Sequence, residues 1–403
     1  NNNPENPIIN FRSYGDSPEI VSRFGEAFIK GVQDNGLIAC AKHFPGHGNT
    51  STDSHTSLPT INGSRSKLDS LELYPFRSAI KAGVKMIMVG HIALPGLDST
   101  EVPSTHSNLI TTKILKNEMG FEGLVITDGM EMGGLTQSAW AGESAIRAVE
   151  AGADILLLPL DINKTIDAIE EAVIIGRISE DRINSSIEKI WKIKNDMGVL
   201  NGNNQVTFEN LEKNIGIINH TQIAREMANK SITLVKDNNQ LPLLPEKIDS
   251  IAHIILSLDD GARGYLKLLS QDIKRTHNGV KEIFVNDKIS QLRQEDIINQ
   301  MKNIDQIIVS LLVRIRMDKG IATIDSTHNL LIEKLHKIKI PIITLSFGSP
   351  YLPDYDFIDT YICGYGYGQV TVKSISNAIW GRNNITGVLP VSLNKNYKQG
   401  LGL

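Results

Sequence analysis

Short apolar runs, each closed by a polar or glycine-bearing cluster and followed by a stretch of helical spacing, recur along the first half of the chain. LIACAKHF, VKMIMVGH, GLVITDGM and ADILLLP carry apolar residues on both sides of the alternation, which predicts strands buried on both faces of a parallel sheet. IVSRFGEAFIKGVQDNG, LDSLELYPFRSAIKAG, ITTKILKNEMG, AGESAIRAVEAG, TIDAIEEAVIIG and SEDRINSSIEKIWKIKNDMG predict amphipathic helices, the first of them stopping at Gly36. The clusters KHFPGHG, HIALPGLD, TDGMEM and PLD all fall at the C-terminal ends of the strands. That is where a (β/α)8 barrel or an open α/β sheet gathers its chemistry. Closing a barrel would take roughly four more strands, so the expectation is a barrel lacking its N-terminal part.

The pattern pauses at GNNQVTFENLEKN, then resumes in a second alternating regime with IAREMANKSITLVKD, IDSIAHIILSLDD, IDQIIVSLLVRI, HNLLIEKLHKIKIPIITLSFGSP, FIDTYICGYG and VTVKSISNAIWGR. The expected organisation is therefore a barrel-type domain over residues 1–200, a linker over 201–215, and a smaller doubly wound α/β sandwich over 216–403.

Composition narrows the function. The 403 residues, 41% hydrophobic and 21% charged, are enough for two globular cores. A net charge of −4 lacks the basic footprint of a nucleic-acid partner, and no uninterrupted apolar stretch is long enough to span a membrane. Cys40 and Cys363 each sit in an apolar run and read as buried small hydrophobes rather than a disulfide or zinc framework. The chain opens on NNNPENPIINFRSYG without a Met and trails off in NKNYKQGLGL, so further segments of the same polypeptide are expected at both ends.

Two segments carry candidate chemistry. Asp128 ends the run LVIT, with Gly129 behind it. A carboxylate at the mouth of a parallel barrel suits a nucleophile, a base or a metal ligand, and a helix cap is the alternative. KHFPGHGNTSTDSH, residues 42–55, holds His43, His47 and His55. Their spacing matches no zinc motif, so neither a metal nor any other cofactor is expected. In an extended segment residues two apart face the same way, so Asp53 can accept a hydrogen bond from the His55 ring and prepare it for proton transfer.

Taken together, K-H-F-P-G-H-G-x4-D-S-H and the later G-x-x-x-T-D strand end with its M-x-M resemble glycoside hydrolase family 3, in its β-N-acetylglucosaminidase branch. NPIINFRSYG, MIMVGHIALPGLD, LKNEMGFEGLVITDGMEM and AGADILLLP follow in that family's order over residues 1–200. The resemblance implies that Asp128 is the nucleophile of a covalent glycosyl intermediate and that His55, supported by Asp53, is the acid/base. It implies that Arg12, Lys42 and His43 bind sugar, with His91 and Met132 lining the same pocket. Pro45, Gly46 and Gly48 are expected to let the loop bearing His55 move.

SITLVKDNNQLPL, FGSPYLP and WGRNNITGVLPVSL resemble more loosely the α/β sandwich of longer members, whose expected role here is packing. The implied activity is removal of terminal β-linked N-acetylglucosamine from cell-wall muropeptides or chitin-type oligosaccharides, with a carbohydrate as the partner. A periplasmic or extracytoplasmic location is favoured over the cytoplasm. A β-glucosidase and a catalytically silent sugar-binding remnant stand as alternatives.

Overall fold

In the computed structural model, which describes residues 1–136, 140–200, 202, 207–315 and 322–403, the chain forms two compact units that divide after Thr207. The first unit contains strands β1 (Cys40–Phe44), β2 (Met86–Val89), β3 (Leu124–Gly129) and β4 (Ile155–Leu157), arranged in that order in one sheet. All neighbouring pairs are parallel. Spatial order that follows chain order, with a helix after each strand, is the winding of a (β/α)8 barrel wall; in a doubly wound sheet the order reverses.

Phe44, Ile87, Val89 and Val125 of these strands pack against Ile29, Phe76, Ala79, Ile114 and Leu115 of the covering helices. This single layer of side chains fixes where the strand ends, and hence the site, are held.

Local chemistry explains the helix limits. Helix Pro18–Gln33 begins where Ser17 accepts the Ile20 N–H and proline fills the first position. The single helix expected over LDSLELYPFRSAIKAG is two, Arg65–Ser70 and Tyr74–Lys81. Pro75 disfavours helical geometry at the residue before it and supplies no N–H, so the helix restarts with proline in its first turn. ITTKILKNEMG winds as a wider π-type helix, Leu109–Glu118, for which the sequence offers no signal.

The second unit holds a sheet of order β5–β10–β9–β8–β6–β7. Its strands are β5 (Thr233–Lys236), β6 (Ile251–Leu256), β7 (Val280–Val285), β8 (Gln306–Val313), β9 (Ile342–Gly348) and β10 (Thr360–Cys363). All pairs are parallel except β5 with β10. Ala252, Ile254 and Leu256 of β6 enter one core, and Ile251 and Ile255 enter the other, so the strand is buried on both faces. β7 went unforeseen because Lys281 and Glu282 interrupt its apolar pattern, as an outer strand with one wet face allows.

The stretch 201–215 expected as a linker contains a helix, Phe208–Asn214, whose residues are mostly exposed; residues 201 and 203–206 lie outside those described. Cys40 and Cys363 are free thiols. Among the described residues no helix is long and apolar enough to cross a membrane.

Candidate active site

Both strands that carry the expected chemistry have one extra residue at the point where they carry it. Between β1 and β2 the register runs from Lys42 opposite Met88 to Phe44 opposite Val89, which leaves His43 without a counterpart. Between β3 and β4 it runs from Ile126 opposite Ile155 to Gly129 opposite Leu157, with Asp128 inside the irregular step. The Thr127 hydroxyl takes the Leu157 N–H there at 3.0 Å, in place of a ladder carbonyl. Bulges of this kind re-aim side chains next to a site. Here His43 Nε2 comes to 3.6 Å from Asp128 Oδ2. That is beyond a hydrogen bond, yet close enough for each group to feel the other's charge.

Asp128 keeps 16% of its side chain exposed, and its Oδ1 accepts the Gly129 N–H at 2.9 Å. His43 is buried. Burial holds its ring well below the ordinary histidine value against the opposing pull of Asp128, so it stands neutral beside the carboxylate. Among the described residues its buried Nδ1 has no hydrogen-bond partner.

Asp53 and His55 meet as their spacing predicts. The ring Nδ1–H of His55 donates to Asp53 Oδ1 at 2.8 Å, which fixes Nε2 as the nitrogen for proton exchange. The backbone N–H of His55 donates to the same oxygen at 2.8 Å, the pattern of an Asx-turn. Asp53 is 7% exposed and His55 23%. The dyad is thus anchored in the protein through the buried Asp53, with the imidazole partly exposed.

The remaining expected residues divide. Arg12 and Lys42 are exposed and line a cavity of about 400 Å3 beside β1, together with His43, His47 and Glu72; the Arg12 guanidinium also donates to Ile8 O at 2.9 Å. His91 does not line the pocket as expected: it is completely buried. Its Nε2 bonds Gly129 O at 2.9 Å, and because a carbonyl can only accept, Nε2 carries the proton and Nδ1 accepts from the Thr105 hydroxyl at 2.7 Å. Burial lowers its pKa, while the charges of Asp128 and His55 act on it in opposite directions. His91 is thus a positioning residue that props the peptide following Asp128. Met132 is buried, with its side chain packed over Gly129.

His47, to which the sequence gives no role beyond bracing the turn, organises the loop. Its Nδ1 is hydrogen-bonded to Thr50 Oγ1 at 2.7 Å and its Nε2 to Ser54 Oγ at 3.1 Å, while its carbonyl accepts from Asn6 Nδ2 at 2.7 Å. Ser54 lies between Asp53 and His55, so His47 braces the dyad itself. The hinge expected at Gly46 and Gly48 is a packed segment. Gly46, at φ +133°, would place a β-carbon 2.8 Å from Glu72 Cβ, and Gly48 would place one 3.1 Å from Asn1 Cα. Among the described residues no group of three or more His, Cys, Asp or Glu side chains is arranged to hold a metal ion.

The glycosyl hydrolase family 3 N terminal domain matches residues 1–193. Beta-hexosaminidase A of Pseudoalteromonas piscicida is 32% identical over 276 residues, covering 64% of this chain and 45% of that protein, so the chain spans less than half the length of this relative. A protein of Cellulomonas fimi named Beta-N-acetylglucosaminidase/beta-glucosidase is 26% identical over 414 residues, which is 96% of this chain and 72% of that one. Among solved structures, a glycoside hydrolase family 3 beta-N-acetylglucosaminidase from Paenibacillus sp. str. FPU-7 superposes with a TM-score of 0.84 at 30% identity, covering 98% of this chain and 74% of that one. With the barrel-wall strands, the sandwich and the K-H and D-S-H motifs in place, this chain belongs to glycoside hydrolase family 3.

Proposed function

We propose that the protein carrying this chain is a retaining glycosidase that removes terminal β-linked N-acetylglucosamine from muropeptides or chitin-type oligosaccharides. The observation that carries this reading is the 2.8 Å contact between His55 Nδ1 and Asp53 Oδ1, on a loop tied to the segment that follows Asp128. A binding module has no use for an oriented proton carrier on a loop hydrogen-bonded to the turn that follows a strand-end carboxylate. The Cellulomonas and Paenibacillus proteins, both named beta-N-acetylglucosaminidases, support the same substrate class.

In the first step Asp128 attacks the anomeric carbon as its bond to the leaving oxygen breaks, and His55 Nε2 delivers the proton that this oxygen needs. The negative Asp128 stabilises the oxocarbenium-like charge that develops on the sugar. In the second step His55 Nε2 takes a proton from water, the water oxygen bonds to the anomeric carbon, and Asp128 leaves as a carboxylate. Neutral His43 lies close to Asp128 without neutralising it. Arg12 and Lys42 hold sugar hydroxyls and so fix orientation.

The test is to assay the full gene product on aryl N-acetyl-β-glucosaminide and aryl β-glucoside side by side, each with and without phosphate. Preference for the N-acetylglucosaminide with net retention supports the reading, and no turnover of either substrate overturns it. The Cellulomonas relative carries both activities in its name, so a dominant glucoside rate would establish the β-glucosidase alternative. Acceleration by phosphate would make phosphate, rather than water, the acceptor.

A further inference from the structure

The dyad loop rests on two glycines in the segment that follows Asp128. The Gly133 N–H donates to His55 O at 3.0 Å, and the Gly134 N–H donates to Ser54 O at 3.1 Å. Neither position has room for a side chain. A β-carbon at 133 would stand 2.8 Å from His55 O and 2.9 Å from Thr56 O, and one at 134 would stand 2.8 Å from Ser54 O and 3.0 Å from Ser57 O. All four obstructing atoms are backbone oxygens of the dyad loop, so no side-chain rotation relieves the clash and the loop itself would have to lift.

The loop is stiff enough to transmit such a lift. Asp53 O accepts the N–H groups of Thr56 and Ser57 at 3.1 Å each, and His47 grips Ser54 from the other side. The seat is stiff too, since the Met132 N–H returns to the carbonyl of Gly129, the residue immediately after Asp128, at 3.1 Å. The path from nucleophile to acid therefore runs through one short turn and two hydrogen bonds.

We propose that Gly133 and Gly134 are positioning residues: they form the seat that keys the Asp53–His55 loop to the strand of Asp128 and so sets the reach of His55 to the leaving-group oxygen. This rests on the acid/base role given to His55 above. A seat that matters only for folding would raise or lower every rate together. A seat that places the acid matters in proportion to how much the leaving group needs a proton.

The experiment compares wild type with Gly133→Ala and Gly134→Ala in the full-length protein. It measures kcat/KM, which reports the bond-breaking step, over aryl N-acetyl-β-glucosaminides running from 2,4-dinitrophenyl to 4-methoxyphenyl. The expected result is a loss of about a hundredfold on 4-methoxyphenyl, where the proton is needed, and of no more than about threefold on 2,4-dinitrophenyl, where it is not. An equal loss across the series, or none at all, overturns the proposal.

Amide hydrogen exchange on the wild type gives a readout that does not depend on the variants folding. Gly133 and Gly134 amides protected from exchange support the seat, and amides exchanging at the unprotected rate overturn it. If the wild type hydrolyses no member of the series, the glycosidase reading fails while the exchange result still decides whether the seat exists.

Discussion

Asp53 Oδ1 accepts two hydrogen bonds from a single residue, the backbone N–H and the ring Nδ1–H of His55, both at 2.8 Å. One oxygen thereby sets both the turn of the loop and the tautomer of the ring. Asp53→Asn can keep the turn through its amide oxygen, but it brings no charge to the imidazolium that forms when His55 takes a proton. Its kcat/KM on an aryl N-acetyl-β-glucosaminide should fall about a hundredfold with little change in melting temperature. An unchanged rate would remove Asp53 from the mechanism.

Thr127 tests the bulge that aims Asp128. The residue is 1% exposed, and its hydroxyl is the acceptor for the Leu157 N–H. Thr127→Val keeps the shape and leaves that N–H unpaired, at a cost of about 1–3 kcal/mol. Urea unfolding should record that loss. Turnover at a temperature where the variant is fully folded should also drop, because the strand is free to recover regular pairing and turn the carboxylate away.

Asp154 tests the opposite end of the same strands. It is 1% exposed, accepts from Ser186 Oγ at 2.7 Å and from the Val125 N–H at 3.0 Å, and stands 3.7–3.8 Å from Lys116, Arg182 and Lys189. Asp154→Asn would leave three cations facing one another. The cations are partly exposed and can turn to water, so the loss should lie near the lower end of the about 3–5 kcal/mol typical of a broken buried ion pair. Calorimetry should show the first unit melting earlier, and a variant as stable as the wild type would contradict the network.

Acid should weaken the first unit through its histidines. Burial lowers the pKa values of His43, His47 and His91 below the ordinary histidine value of 6.5. Below pH 6.5 the unfolded chain takes up protons that the folded state refuses, so stability falls as pH falls, by up to about 1.4 kcal/mol per pH unit for each group. Glu72, whose carboxyl is raised by burial, works in the other direction. Urea midpoints at pH 7 and pH 5.5 should differ accordingly, and His91→Gln should lessen the difference. Equal midpoints for wild type at the two pH values would show that these rings are not held neutral.

Residues that act through neighbours close in sequence were legible before the fold was known. Asp53 and His55 are two apart, and their contact depends on local geometry alone. The strands β3, β6, β8 and β9 declared themselves because a strand buried on both faces must be apolar on both sides of its alternation. β7 did not, since an edge strand can carry Lys281 and Glu282 on its wet side. The break before Pro75 follows from proline's own stereochemistry, which a periodicity reading overrides too easily.

The sequence by itself determined the alternating architecture, the family motifs and the pairing of Asp53 with His55, because each of these is written in residues near one another. Only the tertiary structure decided that His43 faces Asp128 and that His91 is wholly spent on Gly129 and Thr105. The same holds for His47 gripping Ser54 and for the dyad loop seated on Gly133 and Gly134. The physical reason is register. One extra residue in each of two strands turns two side chains, and nothing in an isolated stretch of sequence records which residue its neighbour strand leaves unpaired.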